Sequence, residues 1–306
     1  YNSVDASLLL FEQVKKYIEY TKDYDFIMNE IYPSLEHIIK NYSIGIDIDD
    51  NNIYLDTDGL IVSGTPYTQN TWMDVKYDGI PATPRNGKPV EINAMWYNGL
   101  KVMVELAEYQ KDDSKKEKYE RMANKCKKSF REKFYNKSKK CLYDVLEDGK
   151  VRPNQLFALS LSYPVLDVNS KEAKEMFETV TKKLLNKYGL KTLAKGEENY
   201  IDIYEGNSFK RDFSYHQGIT WTWLLGIYYN CLKRFATESR TGKKKYNEQL
   251  EEFIQSVTET FSKEINERGC IGSIAEIYDS KRPFEPKGAV AQAWSVAEVF
   301  RIITRS

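Results

Sequence analysis

The chain has 306 residues, 41% of them hydrophobic, with Lys plus Arg and Asp plus Glu at 45 each. That balance argues against a binder of nucleic acid or polyanions, which would carry a basic excess, and favours a neutral ligand. No apolar run approaches the ~18 residues of a membrane span, and the size allows one large domain or two ordinary ones.

Cys126, Cys141, Cys231 and Cys270 show neither close pairing nor metal-type spacing. Reduced thiols and a cytoplasmic protein are expected. No secretory signal is visible. The chain begins at Tyr1 without Met, so it is expected to be a fragment of a longer protein.

In chain order the pattern is mostly helical. Segment 5–21 spaces Leu8, Phe11, Val14 and Ile18 as one face, with Asp5 as its expected cap. Segment 24–42 carries Ile27, Ile31, Leu35 and Ile38, and Pro33 predicts a kink. Segment 91–109 is apolar on most sides. Segment 114–135 is Lys-rich with a stripe of Tyr119, Met122, Cys126, Phe130 and Phe134. Segments 153–162, 170–187, 215–235, 246–266 and 288–304 complete the series. Hairpins are expected at Asp58-Gly59 and around Asp148-Gly149. The basic stretch Arg240–Lys245 reads as a solvated loop, and His37 as a surface residue.

From residue 91 the segments alternate. Segments 91–109, 153–162, 215–235 and 288–304 look enclosed, whereas those between them carry one apolar stripe. A helix apolar all round is buried and an amphipathic one faces water. The expected fold class is therefore all-α, an (α/α)6 toroid of inner and outer helices with short β-hairpins in loops. About nine helices against twelve predict that the first helices of the ring are missing. One catalytic domain is expected over 1–306.

Four polar clusters interrupt the helices. Thr71-Trp72-Met73-Asp74 runs on through Thr83-Pro84-Arg85 to Glu91, and polar groups this dense in a long connection suit a site. Glu91 could equally serve the helix N-terminus. Tyr215-His216-Gln217-Gly218, with Trp221, is expected at the start of a buried helix. Gly272-Ser273-Ile274-Ala275-Glu276 is followed by Gln292 and Trp294. Arg152-Pro153-Asn154-Gln155 precedes another helix, where Arg152 could bind hydroxyls or cap carbonyls. The 23 Tyr and 5 Trp suit the apolar faces of sugar rings. Two well-separated carboxylates, Asp74 and Glu276, fit an acid/base pair facing a sugar. No nucleophile elbow, His-Glu-x-x-His, Walker A loop or dinucleotide fingerprint is present, and neither a metal nor a cofactor is expected.

On these residues the chain resembles the C-terminal amylo-α-1,6-glucosidase domain of glycogen debranching enzymes. The matching runs are Tyr1-Asn2-Ser3-Val4-Asp5-Ala6-Ser7-Leu8, Thr71–Asp74, Thr83 to Tyr97, Arg152–Gln155, Tyr215–Gly218 with Trp221, and Gly272–Glu276, in that order. The resemblance implies a glucoamylase-like toroid and inverting hydrolysis of α-1,6-linked glucose at branch stubs of glycogen or limit dextrin. It implies Asp74 as general acid and Glu276 as general base, their carboxyls about 6.5–9.5 Å apart. Burial against Trp72 would keep Asp74 protonated. Asp5, Trp72, Arg85, Glu91, Arg152, Gln155, His216, Trp221, Gln292 and Trp294 would hold the terminal glucose, with Asp5, Arg152 and His216 foremost. Two rivals remain. One is another toroid enzyme, such as a glucoamylase, trehalase or disaccharide phosphorylase; Glu276 argues against the phosphorylase. The other is a non-catalytic glucan-binding domain.

Overall fold

Helix α1 (Ala6–Thr21) forms where Leu8, Phe11, Val14 and Ile18 recur on one face, and all four are buried. It ends at Lys22, whose left-handed backbone donates an N–H back to Ile18. A short α2 (Tyr24–Phe26), a π-turn (Ile27–Ile31) and α3 (Tyr32–Ile44) follow. Pro33 lies in the first turn of α3, where its missing N–H costs nothing, so the predicted kink is the irregular turn just before it. The computed structural model describes residues 3–46, 48 and 51–305. Tyr1 and Asn2 of the first matching run lie outside them.

The described chain is mostly helical, and no helix in it is long and apolar enough to cross a membrane. It forms two units. The first holds residues 1–135, 143–149 and 161–166. Here α4 (Val90–Gln110) lies against α1 and α5 (Asp113–Lys133). Helix α4 is buried on most sides, as its sequence predicts. Buried Glu12 of α1 accepts from Asn98 Nδ2 at 3.1 Å and from the Ser162 N–H and hydroxyl at 3.0 Å. The expected hairpin pairs Tyr54–Leu55 with Ile61–Val62. A second, unpredicted hairpin pairs Lys76–Tyr77 with Ile80–Pro81 across Asp78-Gly79, both at positive φ.

The second unit holds residues 136–142, 150–160 and 167–306. Its helices are α6 (Phe157–Ser160), α7 (Lys171–Lys183), α8 (Ser208–Ser214), α9 (Leu224–Glu238), α10 (Lys243–Glu267) and α11 (Ala293–Ile303). Helix α9 packs on α6, α10 and α11. A five-stranded antiparallel sheet orders Pro286–Lys287, Ile277–Tyr278, Thr220–Trp221, Gly189–Lys191 and Leu185–Asn186. This departs from the all-α expectation, because hairpin strands from distant segments join into one sheet.

Three segments differ from their predicted form. Residues 215–223 are not helical. Gly218 has φ +130, and a Cβ there would collide with the Ile201 carbonyl, so the chain turns into a strand at Thr220. Helix α9 therefore starts at Leu224. Segment 153–162 begins as a 3-10 turn over Pro153–Leu156 before α6. Segment 288–304 is not enclosed: Trp294, Val296, Phe300 and Ile303 of α11 are exposed among the described residues. All four cysteines are unpaired thiols, His37 is exposed, and Lys243–Lys245 of the basic stretch open α10.

Candidate functional site

In the first unit, Met73 is fully buried and anchors the loop, so its neighbours Trp72 and Asp74 turn outward. The Val4 N–H donates to the Asn70 carbonyl at 2.7 Å, tying the start of α1 to this loop. Asp5 does not cap α1. Ser3 does, accepting from the Ala6 N–H at 3.1 Å while its hydroxyl donates to the Asp5 carboxylate at 2.6 Å. Asp74 is exposed as a residue, yet its carboxyl group is enclosed enough by protein atoms to raise its pKa. Its own backbone N–H opposes the rise, and the charge of Asp5 adds to it.

Arg85 and Glu91 sit behind this loop, both buried. The Arg85 guanidinium pairs with both oxygens of Glu91 and donates to Asp144 through Nε at 2.7 Å and Nη2 at 3.1 Å. It also donates to the Thr71 hydroxyl at 3.2 Å. Burial works against the Arg85 charge, but the carboxylates of Asp144 and Glu91 outweigh it and raise its pKa. The expected sugar contact of Arg85 and Glu91 gives way to bracing: their charged groups face each other inside the fold.

In the second unit, Glu276 directly precedes the strand Ile277–Tyr278, which lies between Thr220–Trp221 and Pro286–Lys287. Glu276 Oε2 accepts from the Ala289 N–H at 3.0 Å, and Oε1 accepts from Gln292 Nε2 at 3.1 Å. Gly288, at φ +69, lies so close that a Cβ there would collide with the carboxylate. Glu276 lines a polar cavity of about 780 Å³ with Tyr204, Glu205, Arg211, Asp212, Tyr215 and Lys287.

The Tyr204 ring leans on Tyr215 at 5.5 Å, and its backbone N–H donates to Asp279 at 2.8 Å. Burial raises the Tyr204 pKa; Arg211 opposes this, while Asp212 and Glu276 add to it. Trp221 stacks on the His216 ring at 5.0 Å and meets Trp294 edge-on at 5.8 Å. Trp294 in turn stacks on Trp223 at 5.0 Å.

The structure thus brings Glu276, Trp221, Gln292 and Trp294 together in one unit. His216 is buried between Tyr215 and Trp221, away from the helix start expected for it. Arg152 is buried as well. It donates to the carbonyls of Thr192 at 3.0 Å and His216 at 2.6 Å, and to the Gln217 side chain at 2.9 Å. Gln155 is held between the Leu142 N–H and the Arg152 carbonyl. Arg152 thus braces the turn carrying His216 and Gln217, Gln155 holds the Arg152 backbone, and none of the three lines the cavity. The sequence reading missed Tyr204, Arg211 and Asp212 as lining residues, and named Tyr215 only as part of the Tyr215–Gly218 run. Gly206-Asn207, the turn and cap that open α8, was the available signal. Among the described residues, no group of three or more His, Cys, Asp or Glu could hold a metal ion.

The family described as Amylo-alpha-1,6-glucosidase matches residues 1–301. The chain belongs to the amylo-alpha-1,6-glucosidase family. A glycogen debranching enzyme from Saccharomyces cerevisiae is 25% identical over 251 residues, 66% of this chain and 16% of that relative. The chain therefore spans about a sixth of that relative's length. A solved structure titled "Sialidase" shares the fold, with a TM-score of 0.66 at 13% identity, over 98% of this chain and 26% of that one. A polar cavity with an oriented carboxylate and two tyrosine rings offers hydrogen-bonding groups beside aromatic faces.

Proposed function

We propose that the protein is a glycoside hydrolase releasing glucose from α-1,6 branch stubs of glycogen or limit dextrin, with inversion. Residues 1–306 act as one catalytic domain, with the (α/α)6 toroid that goes with this reading. Family membership supports the activity, and the relative named glycogen debranching enzyme supports the substrate. The observation that carries the reading is Glu276. Each of its oxygens accepts one hydrogen bond and keeps a lone pair for water, and the carboxylate faces a polar cavity with tyrosine rings.

Asp74 gives its proton to the glycosidic oxygen as the bond from that oxygen to the anomeric carbon breaks. Glu276 takes a proton from the water that bonds to the anomeric carbon from the opposite face, so β-glucose is released. The raised pKa of Asp74 favours the protonated form this step requires. Asp5, Trp72, Trp221, Gln292 and Trp294 hold the terminal glucose or the groups that touch it. Arg85, Glu91, Arg152, Gln155 and His216 keep those residues in place.

The test is Asp74→Asn and Glu276→Gln. Each should lower turnover of branched limit dextrin by about two to four powers of ten. NMR of the first product should show β-glucose. Retained turnover in either variant rejects its role, and α-glucose as first product rejects inversion.

A further inference from the structure

The arginine side chains described above fall into two kinds. Those of Arg85 and Arg152 are buried and bonded within the fold. Arg211 differs. It lines the cavity of Glu276, and among the described residues neither its side chain nor that of Asp212 makes a hydrogen bond or ion pair. A guanidinium offers five donors and a carboxylate accepts on two oxygens, while each sugar hydroxyl both donates and accepts. Together the pair is neutral, as suits an uncharged ligand.

Arg211 is exposed at the rim, and Asp212, next to it on α8, is half-buried like Tyr204, Tyr215 and Glu276. The cavity of about 780 Å³ falls in the range that holds drug-sized ligands, larger than a single hexose. A sugar at Glu276 leaves the rim to whatever the sugar is attached to.

We infer that Arg211 and Asp212 bind hydroxyls of the glucan chain that carries the branch, and so set which branched glucan is accepted. This rests on the reading of Glu276 as the base.

The experiment is Arg211→Gln and Asp212→Asn in the intact protein, assayed on branched limit dextrin and on α-glucosyl fluoride. The fluoride carries the glucose to be cleaved and no glucan chain. KM for limit dextrin should rise about tenfold with kcat unchanged, and hydrolysis of the fluoride should be unaltered. Tenfold is about 1.4 kcal/mol, within the worth of one hydrogen bond to a charged group. Equal losses on both substrates would place the two residues on the cleaved glucose and overturn the inference. An unchanged KM for limit dextrin would overturn it as well. Glu276→Gln, run alongside, should stop both hydrolyses. Full activity in that variant refutes the base reading itself, whatever Arg211 and Asp212 do.

Discussion

Gly288→Ala tests whether the placement of the Glu276 carboxylate matters, because the substitution leaves Glu276 itself intact. Two effects separate. The backbone at φ +69 is left-handed, and a Cβ there costs about 1–2 kcal/mol of stability. The new Cβ would also lie 3.0 Å from Ile277 Cγ1 and 3.2 Å from Glu276 Cβ, and would collide with Glu276 Oε2. The carboxylate tip is the part free to move. It must retreat by roughly 1 Å to regain ordinary contact, which breaks the bond from the Ala289 N–H. A displacement of that size at a reacting centre costs about 10²-fold in rate. Urea unfolding should therefore show a loss of about 1–2 kcal/mol, with kcat on limit dextrin down about a hundredfold. Gly272→Ala is the control. Its φ is +85 with nothing within 4 Å of the added Cβ, so it should lose similar stability and keep its turnover. Normal kcat in Gly288→Ala, with the stability loss present, would refute the reasoning.

Arg85→Met should cost about 3–5 kcal/mol in urea unfolding, because it leaves Glu91 and Asp144 buried without their cation. The folded fraction should keep its KM if Arg85 braces the loop. Asp5→Asn removes a charge that raises the Asp74 pKa. The proton donor would then ionise at lower pH, and the basic limb of kcat/KM should move to lower pH; an unmoved limb would sever Asp5 from Asp74. Phe300→Ser should change stability by no more than about 0.5 kcal/mol, since the ring is 66% exposed, whereas fully buried Phe261→Ala should cost about 3–5 kcal/mol in the same denaturation assay.

Periodicity made α1, α4, α5, α7 and α10 legible, because each buries a regularly spaced face long enough to count. The sheet was not legible, since strands of two or three residues are too short to show alternation. Segment 215–235 joins a strand and a helix in one apolar run, which composition alone cannot divide. Helix α11 carries as many apolar residues as an enclosed helix, and composition does not reveal whether a partner covers them. The carboxylates stood out among polar clusters, but α8, short and polar, lies outside every segment that periodicity marked, and the cavity wall was lost with it. Arg85, Glu91 and Arg152 were prominent for a real reason, since buried charges need several partners. Bracing and ligand binding draw on the same residue types, and only burial tells them apart.

The short strand after Glu276 also governs where the chain tolerates a change in length. Residues 279–285 close the turn between two paired strands, so extra residues there can loop out and leave the register intact. A single residue inserted between Ile277 and Tyr278 would turn the rest of that strand's side chains to the opposite face. Grafted loops or labels therefore belong at Lys281 and Arg282, where the surface is open, and not within the strand that follows Glu276.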